Sequence, residues 1–131
     1  MLLTLNVQAD SKIPVKIIKI LDGDTIKVKI DTGNKFSIRF TGIDCYETAK
    51  IHRAYKQAYL DNISIEEVIK KGDIAARYLE KLYSKTKEVS FEYKGIDIYG
   101  RALGIVYFDR VNVNQELVDK GCCKEFVYKE K

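Results

Sequence analysis

Apolar and polar residues alternate in three short stretches of the first third of the chain. Residues 25–31 and 35–41 carry apolar side chains at every second position, and residues 14–21 offer several apolar side chains to a core. Alternation with a period of two is typical of a half-buried strand. The residues between these stretches, at 22–23 and 32–34, are of the types that form tight turns. The pattern predicts three antiparallel strands joined in a meander.

The middle of the chain has the period of a helix. Ser64 and Glu67 have the spacing of a capping box, so a helix is expected to begin there and run towards Gly72. Gly72 either ends this helix or only weakens it. Residues 73–84 form the strongest predicted helix, whereas residues 49–63 are expected to be a loop with some helix. The side chains expected to face the core from the strongest helix are Ile74, Tyr78 and Leu82.

The last third of the chain predicts two strands and a short helix. Residues 87–93 alternate again, and residues 101–108 are apolar on both faces, which favours a central strand. Residues 114–120 are expected to form a helix that Gly121 closes. Three side chains of the first of these strands are expected to point inward: Val89, Phe91 and Tyr93.

The predicted order is three strands, a helix, two strands and a helix. A helix between the third and fourth of five short strands is the arrangement of the five-stranded OB-fold barrel. We therefore predict an α+β fold, a β-barrel with helices, in one domain over residues 1–131. Many OB-folds bind oligonucleotides, but a fold does not by itself assign a function.

Composition and charge leave the function open. Hydrophobic residues make up 46% of the chain and charged residues 32%, and no apolar run approaches the length of a membrane span. The net charge of +4 is spread along the chain, which is compatible with a polyanionic partner without arguing for one. We expect no association with a membrane, and we expect a monomer.

The first residues and the cysteines bear on the compartment. The N-terminal stretch has no basic region ahead of its apolar residues, so no signal peptide is expected. The chain has three cysteines, Cys45, Cys122 and Cys123, and an odd count with an adjacent pair is a poor disulfide framework. Cysteine usage therefore favours a reducing compartment such as the cytoplasm, with localisation otherwise open.

Three polar clusters interrupt the predicted scaffold, at residues 22–25, around Arg39, Asp44 and Glu47, and at residues 99–101. Taken singly, such residues are more often turns or surface salt bridges of little energetic value. The hairpin of the second and third strands, however, brings Asp24 towards residues 41–44. Converging carboxylates supply the hard oxygen ligands that Ca²⁺ or Mg²⁺ prefers, and nearby arginines would leave positive charge for a phosphate.

These clusters together resemble a known family. The combination of ILDGDT at 20–25, IRF at 38–40 leading to GID at 42–44, Glu47-Thr48 and the sequence YGR at 99–101 is similar to the staphylococcal nuclease (thermonuclease) family. VNQELV at 113–118 and the closing glycine add to the likeness. The resemblance covers about residues 15–128, and it implies an OB-fold of the staphylococcal nuclease type.

The resemblance also implies a site. By this likeness Asp24, Asp44 and the backbone carbonyl of Cys45 would bind Ca²⁺, with Asp22 as an outer carboxylate. Glu47 would orient or deprotonate the attacking water. The remaining residues implied are Arg39 and Arg101, which would grip the scissile phosphate, and Tyr99 and Tyr128, which would contact the nucleotide.

The implied activity is calcium-dependent hydrolysis of phosphodiester bonds in DNA and RNA, preferentially single-stranded, leaving 3′-phosphate products. Family members are often secreted. The chain departs from the family at Ile98 and Phe126, where a lysine and a tyrosine are usual, and its 49–72 segment is longer. The alternative is a non-catalytic nuclease-like barrel that binds nucleic acid or protein. A binding barrel has no evident need for all of Asp24, Arg39, Asp44, Glu47 and Arg101, so their joint presence favours the enzyme.

Overall fold

The computed structural model describes residues 11–127, in which a closed five-stranded barrel is surrounded by three helices. Tyr128, one of the expected nucleotide contacts, lies outside the described residues. The strands are β1 (Ile13–Asp22), β2 (Thr25–Lys29), β3 (Lys35–Phe40), β4 (Ile43–Cys45), β5 (Val89–Ile96), β6 (Ala102–Phe108), β7 (Val111–Asn112) and β8 (Cys123–Glu125). The helices are α1 (His52–Asp61), α2 (Ile65–Ser84) and α3 (Val113–Asp119).

The barrel is formed by β3, β2, β1, β5 and β6, paired in that order. It closes through a parallel pairing of β3 with β6, in which Arg39 lies opposite Leu103. The predicted meander of β1 to β3 and the central position of β6 are confirmed. Apolar side chains of the strands and helices fill the barrel, among them Ile26, Ile38, Phe40, Val106 and Leu117.

Helices cover the barrel, and α1 and α2 are longer than expected. Ser64 accepts a hydrogen bond from the amide of Glu67, as the capping prediction required, and α2 then runs unbroken through Gly72. The expectation of a loop with some helix over 49–63 understated α1. Within residues 11–127, no helix is both long enough and apolar enough to cross a bilayer.

Two side chains expected in the core are exposed. Ile74 of α2 is 51% exposed, because the helix packs through the stripe of Val68, Gly72, Ala75 and Leu79. Tyr93 of β5 is also 51% exposed, and it lies opposite Gly104 immediately before the strand changes register against β6.

A small second sheet pairs β4 with β8 and contains a disulfide. Cys45 lies opposite Cys123 in this sheet, and the two cysteines are covalently bonded. The expectation that the cysteines make a poor disulfide framework is therefore wrong, and the argument from cysteine usage to a reducing compartment loses its basis. Cys122 is the free cysteine among residues 11–127. The disulfide ties the segment that carries Asp44 and Glu47 to the end of the described chain.

Candidate active site

The turn between β1 and β2 carries the first two carboxylates. Asp22 accepts a hydrogen bond from the amide of Asp24 at 3.0 Å, which holds the turn in place. A side chain at Gly23 would lie 2.8 Å from the Cβ of Ala75, so glycine allows the turn to pack directly on α2. Asp24 is 6% exposed as a result, and its carboxylate is directed into the protein.

Arg39 lies between two of the predicted metal-ligating carboxylates. Its Nη1 is 3.0 Å from Oδ2 of Asp24, and its Nη2 is 3.3 Å from Oδ1 of Asp44. Nη1 also donates to the carbonyls of Phe40 and Ile43 at 3.0 and 3.1 Å. The pairing of Thr25 with Arg39 in neighbouring strands sets this side chain beside the 22–24 turn. The predicted convergence of Asp24, Arg39 and Asp44 is therefore observed.

Sequence reasoning did not identify Arg53, which belongs to this cluster. Its Nη2 forms a short contact with Oδ1 of Asp44, and its Nε is 3.3 Å from Oε2 of Glu47. Arg53 lies in the first turn of α1, a segment expected to be mostly loop. A predicted helix at this position would have indicated the contact, since a helix here brings Arg53 back towards Asp44 and Glu47.

Glu47 is positioned by α1 and α2 together. Its amide donates to the side-chain oxygen of Gln57 at 3.0 Å, and the Gln57 amide group donates to the carbonyl of Cys45 at 3.1 Å. On the other side, α2 approaches the backbone of Glu47 so closely that only glycine fits at position 72. The Cys45 carbonyl keeps its second lone pair for a further donor or ligand.

The cluster carries more negative charge than its arginines offset. Burial, partly countered by Arg39, raises the pKa of Asp24 to about 7. Burial also raises the pKa of Glu47, and repulsion by Asp24 adds to the effect. Burial raises both pKa values because it removes water that would stabilise the charged carboxylates.

Arg101 lies at the other wall of the site, where it pairs with Asp97. Its Nε is 2.7 Å from Oδ2 of Asp97, and its amide donates to Oδ1 at 2.9 Å. Burial by itself would raise the pKa of Asp97, but hydrogen bonds from Arg101 and Tyr99 lower it overall. The Tyr99 ring is 77% exposed, with the Arg101 guanidinium 5.5 Å from its centroid.

Both walls border one cleft of about 800 Å³. The predicted site residues that line this cleft are Asp22, Asp24, Arg39, Glu47, Tyr99 and Arg101, together with Arg53, Ile98 and Phe126. Asp44 and Cys45 do not line it. Asp44 contacts the cleft only through the two arginines and borders a smaller recess beside Lys124, and Cys45 is buried.

A hard divalent cation fits the donor set of this cluster. Among residues 11–127 no three Asp, Glu, His or Cys side chains form a ready-made metal centre. Even so, Asp24, Asp44 and Glu47 supply carboxylate oxygens, and burial raises the pKa of Asp24 and Glu47. Ca²⁺ accepts such oxygen donors with flexible geometry.

Comparisons with known proteins agree with this geometry. A family described as "Staphylococcal nuclease homologue" matches residues 37–131. An uncharacterized protein of Methanocaldococcus jannaschii is 27% identical over 86% of this chain and 58% of its own length. A thermonuclease of Staphylococcus hyicus is 27% identical over 87% of this chain and 60% of its own length. An uncharacterized endonuclease of Haemophilus influenzae is 28% identical over 81% of this chain and 48% of its own length.

The chain thus spans roughly half to three fifths of the length of these relatives. The family match covers well over half of the chain, including Arg39, Asp44, Glu47 and Arg101. The barrel and its helices have the form expected for that match. The chain belongs to the staphylococcal nuclease homologue family.

Proposed function

We propose that the chain is a Ca²⁺-dependent phosphodiesterase that hydrolyses DNA and RNA, preferentially where the strand is single. The observation that carries this proposal is the cleft that Arg39, Glu47 and Arg101 line together with the buried Asp24. Hydrolysis of a phosphodiester adds negative charge at an anionic phosphorus, so fixed cations directed at that charge lower the barrier.

The arginines retain donors for a phosphate. Among residues 11–127, Nε of Arg39 contacts no acceptor, since the contacts to Asp24 and Asp44 use Nη1 and Nη2. Arg101 uses Nε for Asp97, and neither of its Nη atoms has a partner in the same range. A guanidinium with a free edge can hold phosphate oxygens while its other edge is fixed by a carboxylate.

Glu47 is proposed to accept the proton of the attacking water. Its raised pKa brings the carboxylate closer to neutral pH, which improves a general base. The resulting hydroxide would add to phosphorus as the bond between phosphorus and the 5′ oxygen breaks, and the 5′ oxygen would take a proton from solvent water, which gives a 3′-phosphate and a 5′-hydroxyl. Ca²⁺ held by Asp24, Asp44 and the Cys45 carbonyl would supply Lewis-acid stabilisation of the phosphate.

The test is cleavage of denatured DNA by the purified chain, with calcium and with a chelator. We expect calcium-dependent cleavage, and we expect Arg39→Ala and Glu47→Ala each to reduce kcat by about 10²-fold or more. Arg77→Ala is the matched control, because Arg77 pairs with Asp73 on the exposed side of α2. Activity that survives both site substitutions would refute the mechanism, and no cleavage by the parent under any condition would favour the binding barrel.

A further inference from the structure

The outer surface of the first three strands carries five exposed lysines in register. Lys16 lies opposite Lys29, and Lys29 lies opposite Lys35, so one row across β1, β2 and β3 is entirely lysine. The next row contains Lys19, Lys27 and Ser37. The lysine face is defined by Lys16, Lys19, Lys27, Lys29 and Lys35.

The lysine face ends at the cleft. The row after Lys19, Lys27 and Ser37 consists of Asp22, Thr25 and Arg39, which all line the cleft. Alternate residues of a strand share one side of a sheet, so Arg39 and the lysines of β2 and β3 point to the same side. Two bulges in β1 keep Lys16, Lys19 and Asp22 on that side as well.

Repulsion between these lysines lowers the stability of the fold. Like charges directly opposite each other on neighbouring strands are destabilising. Within residues 11–127, none of the five lysines forms a salt bridge. The lysine face therefore offers five unneutralised cations to a ligand. The side chains on the opposite side of the same three strands pack in the barrel core.

We propose that the lysine face binds the sugar–phosphate backbone of a single strand that extends from the cleft. This inference rests on the proposed function, and it adds a second binding region to the catalytic cleft. Rows two residues apart are about 7 Å apart, so the two lysine rows extend about 14 Å beyond Arg39. That length accommodates about four nucleotides of a stacked strand, within the range of sites on OB-folds.

Binding of oligothymidylates of about 2 to 16 nucleotides in the presence of chelator tests the proposal, since cleavage is then suppressed. The variant is the triple substitution Lys16→Gln, Lys27→Gln and Lys29→Gln. The matched control removes three other exposed lysines without ion pairs, by Lys70→Gln, Lys81→Gln and Lys120→Gln. Affinity is measured between about 50 and 200 mM salt.

We expect the slope of log affinity against log salt to be shallower by about 2 in the lysine-face variant. Each phosphate contact to a single strand contributes about 0.7 to this slope, and the variant lacks three lysines. The loss of affinity should grow with oligonucleotide length up to about four nucleotides beyond the cleft, and the control should match the parent. An unchanged slope, an equal loss in the control, or an equal lysine dependence for duplex DNA would overturn the proposal.

The outcomes separate this inference from the proposed function. If the parent fails to cleave DNA but binds it through the lysine face, the nuclease proposal fails and the binding face stands. If the parent cleaves DNA and the lysine-face variant keeps the parental salt slope, the face is refuted and the nuclease proposal stands.

Discussion

Gly72 lies in the middle of α2, against the backbone of Tyr46 and Glu47. Its replacement by alanine has two effects of opposite sign on the free energy of unfolding. Glycine inside a helix costs about 1 kcal/mol relative to alanine, so helix propensity predicts that Gly72→Ala stabilises the chain. The added Cβ, however, would lie 2.1 Å from the carbonyl oxygen of Glu47 and 2.7 Å from that of Tyr46.

The steric effect is the larger one. Ordinary contact with a Cβ begins near 3.4 Å, so α2 and the Glu47 backbone would have to separate by about 1.3 Å. The obstacle is backbone, and the disulfide at Cys45 and the hydrogen bond to Gln57 hold it on both sides. Overpacking of this kind costs about 1–3 kcal/mol, and after the gain of about 1 kcal/mol from helix propensity we expect net destabilisation of up to about 2 kcal/mol. Displacement of a catalytic group by about 1 Å costs about 10²-fold in rate.

The assay combines thermal or denaturant unfolding with kcat on denatured DNA at a temperature where the variant is folded. Leu79→Ala is the control, since Leu79 is fully buried in the same helix two turns away. It should destabilise the chain by about 2–5 kcal/mol and leave kcat of the folded protein intact. A Gly72→Ala protein that is more stable than the parent, with parental kcat, would refute the reasoning.

Three further perturbations test other parts of the site. Burial raises the pKa of Asp24 to about 7, so in chelator the folded chain binds a proton that the unfolded chain releases above about pH 4. Stability without metal should therefore fall as pH rises from about 4 to 7, and Asp24→Asn should flatten that dependence in thermal melts. Cys123→Ser opens a covalent ring with a sequence separation of 78 and should lower the free energy of unfolding by about 4 kcal/mol. Arg53→Gln removes a cation that lowers the pKa of Glu47, so the acid limb of the rate profile should move to higher pH.

Each of these three tests has a control variant or an outcome that would contradict it. Stability of the metal-free parent that rises with pH across the same window would contradict the account of Asp24. Cys122→Ser should lower the melting temperature much less than Cys123→Ser, because Cys122 forms no disulfide. Arg77→Gln removes an exposed pair on α2 and should leave the pH profile in place, and an unmoved profile in Arg53→Gln would refute the coupling.

Local patterns predicted the parts of the fold whose determinants are local. The alternation in β1 to β3 and the cap at Ser64 depend on neighbouring residues, and both are as predicted. The core stripe of α2 was misjudged because its contact residues Gly72 and Ala75 are small and add little to a hydrophobic pattern. Small residues show their role only when the surface that approaches them is known.

The site was partly predictable for the same reason. Hairpin geometry was enough to bring Asp24 towards Asp44, because the register of two adjacent strands is set by a short turn. Arg53 and the bond between Cys45 and Cys123 depend on where α1 and β8 pack, and the spacing of residues along the chain does not contain that information. The number of cysteines was misleading because it does not show which of them lie close together in the folded chain.

The parallel pairing of β3 with β6 has a consequence for when the chain can act. Arg39 and the segment after Arg101 are remote in sequence, and this pairing is what brings their strands side by side. In a nascent chain whose β6 is still inside the ribosome, Arg39 is available for folding but its proposed partner Arg101 is not. A fragment that ends before residue 101 also has Arg39 without Arg101. Such a chain would lack the proposed pair of phosphate-binding guanidiniums, so the proposed hydrolysis would require the finished barrel.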